Sequence, residues 1–230
     1  MIFAAGFGKR MGKFVYDKPK PLVEVCGVPL LEYAFSLCRD VEPTLIVMNA
    51  HYKHEVLCSY LRYHPVTVIT ELPDILETGG GLKAAIPILG SKPVVTLNSD
   101  AIWLGDNPLS LLLEAWNAET MDALLMCVPI EQTFGRVGSG DFTLNGDGTL
   151  QRGGRFVYSG AQIIKTDLVA VINDKAFSLN KVWDIILSRN RLFGLSYNGN
   201  WCDVGTSGGV YEAEKKIREA AEKNRINVFQ

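Results

Sequence analysis

Apolar and polar residues alternate in blocks along the first half of the chain. Met1–Ala5 is a short apolar run, and Pro29–Arg39 carries Leu30, Leu31, Tyr33, Ala34 and Leu37 at helical spacing. Thr44–Asn49 ("TLIVMN") reads as a buried strand, His54–Tyr63 as a helix and Val66–Thr70 as a strand. After three glycines, Leu82–Leu89 is again helical. "PVVTLNSD" is a strand ending at Asp100, Leu109–Glu119 a helix, and "DALLMCVP" a strand. Strands separated by helices predict a parallel sheet built from right-handed crossovers.

The rhythm changes after about residue 130. "FTLNGDGTLQR" reads as a hairpin turning at Asn145-Gly146-Asp147-Gly148, and "RFVYSGAQIIK" as a further strand. Val182–Ser188 looks helical, "LFGLSYNGNWCDVG" supplies two short strands, and Tyr211–Asn224 is a charged amphipathic helix. There is no internal repeat, linker or low-complexity stretch. The prediction is one α/β domain over residues 1–230: Rossmann-like, three-layered, with a mixed, mainly parallel sheet. Its halves are 1–130 and a strand-rich 131–230. The very short first strand suggests a natural start a few residues upstream of Met1.

Composition narrows the function classes. With 230 residues, 47% hydrophobic and 21% charged, the chain can bury a full core without disulfides or metals. Its net charge of −2 and lack of basic blocks argue against a nucleic-acid surface. Cysteines 26, 38, 58, 127 and 202 are odd in number and form no CxxC pair, which argues against a disulfide framework or zinc site and for a cytoplasmic location. No apolar run reaches the roughly 18–20 residues that span a bilayer, and the N-terminal residues, with no charged n-region or h-region, do not read as a signal peptide. His51, His54 and His64 have no ligand partners at suitable spacing and read as surface or packing residues. Cys202 lacks an identifiable base and reads as an inert thiol.

One stretch departs from this even balance. "AAGFGKRMGKFVYDKPKPL" (4–22) places two glycines, Lys9, Arg10, Lys18 and Lys20 directly behind the first strand. Glycines there let backbone N–H groups approach an anion. Arg10 offers a planar fork for phosphate oxygens, and Lys20 a compact charge whose freedom Pro19 and Pro21 restrict. By themselves the glycines require only a tight turn, and "KPKPL" reads equally as a solvated basic loop. The third glycine of a dinucleotide loop and the Gly-Lys-Ser/Thr of a P-loop are both missing. Asp100, ending an apolar strand, sits where open α/β sheets bind ligands, and also reads as a cap. Asp203 in "NWCDVGT" has the same two readings. The glycines of "ETGGG" (77–81) can let a flat base pack against backbone, or merely close a helix N-terminus with Thr78 as its cap. Gly160 in "YSGAQI" reads as a bulge glycine.

Taken in order, "FAAGFGKRM", "KPKPLVEV", "GVPLLEYAF", "ETGGGLKAA", "LNSD", "YSGAQI" and "WCDVGT" resemble the sugar-1-phosphate nucleotidyltransferases over nearly the whole chain. "LETGGGL", "NSD" and "NWCDVGT" look most like the short bacterial enzymes acting on N-acetylmuramate 1-phosphate with UTP. The resemblance implies the nucleotide-diphospho-sugar transferase fold, with a nucleotide-binding first half and a sugar-phosphate-binding second half. It implies catalytic roles for Arg10 and Lys20, and nucleotide contacts from Ala5, Gly6, Gly8, Lys9, Thr70, Glu71, Gly80 and Asn98. It places Gly160 beside the sugar and Mg²⁺ on Asp100 and Asp203. The partners implied are a nucleoside triphosphate and a sugar 1-phosphate, with neither nucleic acid nor membrane, in a monomer or homodimer serving cell-wall precursor recycling.

The chain departs from the pattern at Gly12-Lys13-Phe14, where relatives often carry a polar residue followed by Pro-Leu. It departs again at Ser99, where glycine is usual and where serine is expected to narrow the approach to the nucleotide. Three rivals stay open. They are a cytidylyltransferase acting on a small phosphorylated alcohol, a nicotinamide-dependent dehydrogenase with Glu24 as its acidic residue, and a non-catalytic nucleotide sensor. Mannose- or glucose-1-phosphate transfer is a variant of the main reading.

Overall fold

The computed structural model describes residues 1–227. The chain opens with β1 (Ile2–Phe3), a 3-10 segment (Lys9–Val15), a 3-10 turn (Lys20–Leu22), and the strands β2 (Glu24–Val25) and β3 (Val28–Pro29). Next come α1 (Leu30–Asp40), β4 (Val47–Ala50), α2 (His54–Tyr60), β5 (Thr67–Thr70), α3 (Glu77–Leu89), β6 (Val94–Asn98), β7 (Ala101–Leu104), α4 (Pro108–Ala115) and β8 (Ala123–Pro129). The second half adds β9 (Thr133–Phe134), β10 (Phe142–Leu144), β11 (Leu150–Arg152), β12 (Phe156–Ile164), α5 (Asp167–Ala170), α6 (Leu179–Leu187), β13 (Leu192–Ser196), β14 (Asn200–Asp203) and α7 (Ser207–Asn227).

Among the described residues the main sheet has nine strands. β6, β1, β4 and β5 are neighbours in parallel. β12 enters antiparallel between β6 and β8, and β13 runs parallel to β8 at the edge. The hairpin β10–β11 joins through β10 to β12. Mixed pairing follows from connection length: β12 and β8 are joined by loops and a hairpin, whereas the parallel strands are joined by helices.

One core packs Leu31, Phe35, Leu109 and Leu112 of α1 and α4 against Ile2, Met48 and Leu97. The opposite core packs Leu82, Ala85, Val182, Trp183 and Ile186 of α3 and α6 against Phe3, Leu125 and Ile164. This is the three-layer arrangement predicted, and the alternation of Ile2 and Phe3 to opposite cores is the pleat of one strand. A third cluster ties Met11, Val25 and Leu30 to Ile102, Cys202, Val204 and Val210. It fastens the basic loop to β7, β14 and α7. Burying a side chain such as Met11, with no exposed surface, contributes about 1.5–3 kcal/mol.

Several boundaries differ from the periodicity. α3 begins at Glu77, not Leu82, because its three glycines lie inside the helix. α4 ends at Ala115, where Trp116 turns to extended backbone, and begins with Asn107 accepting from the Leu109 N–H at 2.9 Å. β7 follows β6 after two residues and was hidden by the strand before it. The β2–β3 hairpin turns through Cys26 and Gly27 at φ 51° and 75°, the left-handed pair of a two-residue turn. Among the described residues no helix is long and apolar enough to cross a membrane.

Candidate active site

A cleft of about 430 Å³ opens at the C-terminal ends of β1 and β6. Its floor is the basic loop. Gly8 adopts φ 65°, and a Cβ there would lie 3.1 Å from Val15 and 3.2 Å from the Lys20 stem. Glycine therefore lets the turn close against Lys20. The Met11 N–H donates to the Gly8 carbonyl at 2.8 Å, which starts the 3-10 segment and leaves Lys9 and Arg10 exposed at its head. Arg10 makes no ion pair among the described residues, and neither does Lys9, whose ammonium lies 5.0 Å from the Phe7 ring centre.

Lys20 is the opposite case. Bounded by two prolines, it heads its own 3-10 turn, with the Leu22 N–H bonded to Pro19 and the Val23 N–H to Lys20. It is only 9% exposed, and its ammonium donates to Asp100 Oδ2 at 2.5 Å. The two carboxylates far apart in sequence meet through one pairing. β7 and β14 run antiparallel with Asp203 opposite Ala101, and the Val204 N–H donates to the Asp100 carbonyl at 2.9 Å. Asp203 also faces Arg10. A Cβ on Gly205 would lie 2.7 Å from Asp203 Oδ1 and 3.0 Å from Arg10 Nη2. Burial pushes the Asp203 carboxyl above the usual range and the Asp100 charge pushes it further, against the pull of Lys20, Arg10 and the Gly205 N–H.

Ala5, Gly6, Gly8, Lys9, Arg10, Lys20, Asn98 and Asp100 line one cleft, with Gly205 bringing Asp203 to its edge. Thr70, Glu71, Gly80 and Gly160 fall outside that lining. Thr70 is exposed at the end of β5. Gly80 faces chain instead of cleft: a Cβ would lie 2.4 Å from the Lys175 carbonyl, and the Gly79 and Gly80 N–H groups both donate to the Phe177 carbonyl. Thr78 does not cap α3 but accepts from the Leu179 N–H at the head of α6. The "GGG" run thus packs α3 against the 175–177 loop that leads into α6 and against Asn49 and Glu71. Gly160 sits in the β12 bulge at φ 88°, where a Cβ would lie 2.7 Å from the Asn98 amide, so it makes room for Asn98. Ser99 turns its hydroxyl onto the Phe3 carbonyl at 2.7 Å and lies buried. Cys202 is fully buried with its thiol pushed up to about 12 by burial, in keeping with an inert role. His51 meets Phe7 edge to face, and His64 stacks on Phe35 and Tyr60.

Glu71, a nucleotide contact by the resemblance, is held as a buried strut. It is 2% exposed, and accepts from Asn49 Nδ2 at 2.7 Å and from the Leu76 N–H at 2.7 Å. Asn49 Oδ1 in turn accepts from the Ala4 N–H at 2.9 Å. One buried relay therefore links the glycine loop to the start of α3. Glu71→Gln must set an amide N–H₂ against one of two donors, and should cost about 1–3 kcal/mol, read as a lowered Tm.

The donor chemistry fits a hard divalent cation. Two carboxylates face each other with more negative charge than burial favours. Among the described residues no group of three or more His, Cys, Asp or Glu side chains forms a metal cage. Mg²⁺ commonly takes one or two carboxylates and completes its shell with phosphate and water.

The profile of the MobA-like NTP transferase domain matches residues 1–136 of this chain. The chain belongs to that family. This MobA-like transferase is 31% identical to the N-acetylmuramate alpha-1-phosphate uridylyltransferase of Caulobacter vibrioides, over 96% of the chain and 97% of the relative. It is 26% identical to a mannose-1-phosphate guanyltransferase of Hypocrea jecorina, over 89% of the chain and 60% of that protein. HddC from Yersinia pseudotuberculosis, crystallised with GMP-PN, superposes with a TM-score of 0.73 at 20% identity, covering 94% of this chain and 97% of HddC. The resemblance read from the motifs is borne out, as is the fold, and the transferase is a nucleotidyltransferase.

Proposed function

We propose that this transferase moves UMP from UTP to N-acetylmuramate 1-phosphate, releasing pyrophosphate and supplying a nucleotide sugar for cell-wall precursor recycling. The observation that carries the reaction class is the convergence of Arg10, Lys20 and Asp100 on one glycine-walled cleft, with Asp203 at its edge beside Gly205 and Arg10. The similarity over nearly both full chains to the Caulobacter uridylyltransferase supports the substrates. The acceptor's phosphate oxygen attacks the α-phosphorus, a new P–O bond forms, and the bond to the β-phosphate oxygen breaks with its electron pair leaving on pyrophosphate. The attacking oxygen is already anionic, so no general base is needed. The barrier is repulsion between anions, and positioned cations lower it.

Arg10, which forms no ion pair among the described residues and lies near Asp203, takes the β- and γ-phosphates and the leaving pyrophosphate. The amides around Gly6–Lys9 cradle the triphosphate. Lys20 stands between the α-phosphate and the acceptor phosphate. Asp100 and Asp203 would hold Mg²⁺, which when bound supplies charge neutralisation at the α-phosphate.

A pyrophosphate-release screen tests this, with UTP, dTTP, GTP and CTP against several sugar 1-phosphates and phosphocholine, with and without Mg²⁺. The expected result is fastest turnover for UTP with N-acetylmuramate 1-phosphate, and only with the metal. Faster turnover of GTP with mannose 1-phosphate would overturn the substrate assignment and leave the reaction class standing. Faster turnover of CTP with phosphocholine would establish the cytidylyltransferase. Nucleotide binding without any pyrophosphate release would favour a sensor.

A further inference from the structure

A second chamber of about 230 Å³ adjoins the nucleotide cleft and shares Phe3, Thr78 and Asn98 with it. A ligand whose phosphate lies at Lys20 can therefore extend past Asn98 into this space. Two charged side chains line the chamber, Asp141 and Arg152. Asp141 is engaged: one oxygen accepts from Arg136 Nη2 at 2.9 Å and the other from the Tyr158 N–H at 2.9 Å. Arg152 is differently held. Its Nε and Nη2 both donate to the same oxygen of Asp184, at 2.9 and 2.7 Å. Its Nη1 donates to Asn180 Oδ1 at 2.8 Å, and Nη2 also reaches the Asn180 carbonyl at 3.3 Å.

A guanidinium has five N–H donors, so among the described residues one on Nη1 stays uncommitted. The group's central carbon lies 4.9 Å from the Phe142 ring centre and 5.8 Å from that of Trp183. Two aromatic faces and α6 thus fix the plane of the fork. Asp184, with 63% of its side chain exposed against 38% for Arg152, binds on the solvent side through a single oxygen. Such an exposed pair is weak and can yield to a second acceptor.

We infer that Arg152 is a specificity-determining residue that recognises a carboxylate on the sugar, so that the acceptors are acidic sugar 1-phosphates. This rests on the proposed sugar-phosphate reading of the cleft. A rigid planar fork is suited to a carboxylate, and a neutral hexose offers it only hydroxyls. N-acetylmuramate 1-phosphate differs from N-acetylglucosamine 1-phosphate by one lactyl ether, which carries that carboxylate. Mannose 1-phosphate lacks it.

The test is a ratio. The kcat/KM of the full chain with UTP is measured for N-acetylmuramate 1-phosphate, for its lactyl amide and for N-acetylglucosamine 1-phosphate. The measurement is then repeated with Arg152→Gln and Arg152→Lys. Wild type should favour the acid over both neutral acceptors. Arg152→Gln should lower that acid-to-neutral ratio by roughly 10- to 100-fold, the range for a hydrogen bond to a charged group, mostly through KM. Arg152→Lys should recover part of it. A variant that merely misfolds lowers all three rates together and leaves the ratio intact. An unchanged ratio in a variant that keeps wild-type turnover of N-acetylglucosamine 1-phosphate, or equal use of acid and amide by wild type, overturns the inference. Absence of turnover with every acceptor would instead count against the proposed function.

Discussion

Asp203→Asn should lower nucleotidyl transfer on the order of 10²–10³-fold while leaving the protein as stable as before, or more stable, in metal-free buffer. The loss of activity follows from removing one of the two proposed metal-holding carboxylates. The retained stability follows from why that carboxyl titrates high: burial first, then the Asp100 charge opposite it. A carboxyl whose folded pKa is raised binds its proton more tightly in the native state than in the unfolded chain. Its ionisation therefore erodes stability as pH rises from the ordinary aspartate range through the folded pKa. The variant's advantage in Tm should accordingly be largest near pH 7–8 and vanish below about pH 4, where Asp203 is protonated in both states. A Tm well below wild type at neutral pH would show that Arg10 and Lys20 more than offset the burial of this charge. Stability withheld at a reacting centre is a recurring trade in enzymes.

Lys20→Met should reduce turnover by a similar 10²–10³-fold and, with nucleotide absent, tighten binding of Mn²⁺ used as a probe. The ammonium sits 2.5 Å from Asp100 Oδ2 and is nearly buried, so it acts as a resident counter-ion on one of the proposed metal-holding carboxylates. Removing it should leave that carboxylate free for the divalent ion, whereas methionine preserves the packing of the stem against Gly8. Titration followed by the Mn²⁺ electron-spin-resonance signal reads the affinity without any turnover. Unchanged affinity would mean that Lys20 and the ion do not compete for Asp100.

Periodicity located nearly every helix and every long strand, because burial of one face is a local pattern in the chain. It failed where pattern is shortest. β7 has only Ala101–Leu104 and follows β6 almost without a break, and β9 is two residues long. The basic loop was legible because it concentrates charge behind a strand. Asp100 was legible as a carboxylate at a strand end. The packing role of the α3 glycine run was not legible, because a glycine that admits a ligand and one that admits a neighbouring loop are identical in sequence. Only the 2.4 Å approach to the Lys175 carbonyl separates them at Gly80.

Chemical inventory and layer order were thus set by the chain itself: which cations follow β1, which carboxylates end strands, and which faces must be buried. Assembly was decided by the fold. The β7–β14 register brings Asp203 to Asp100, the buried Ala4–Asn49–Glu71–Leu76 relay joins two loops, and the β10–β11 hairpin carries Arg152 to α6. Each is a pairing between residues remote along the chain. Such contacts depend on how strands align in space, to which the spacing of apolar residues within a single element carries no reference.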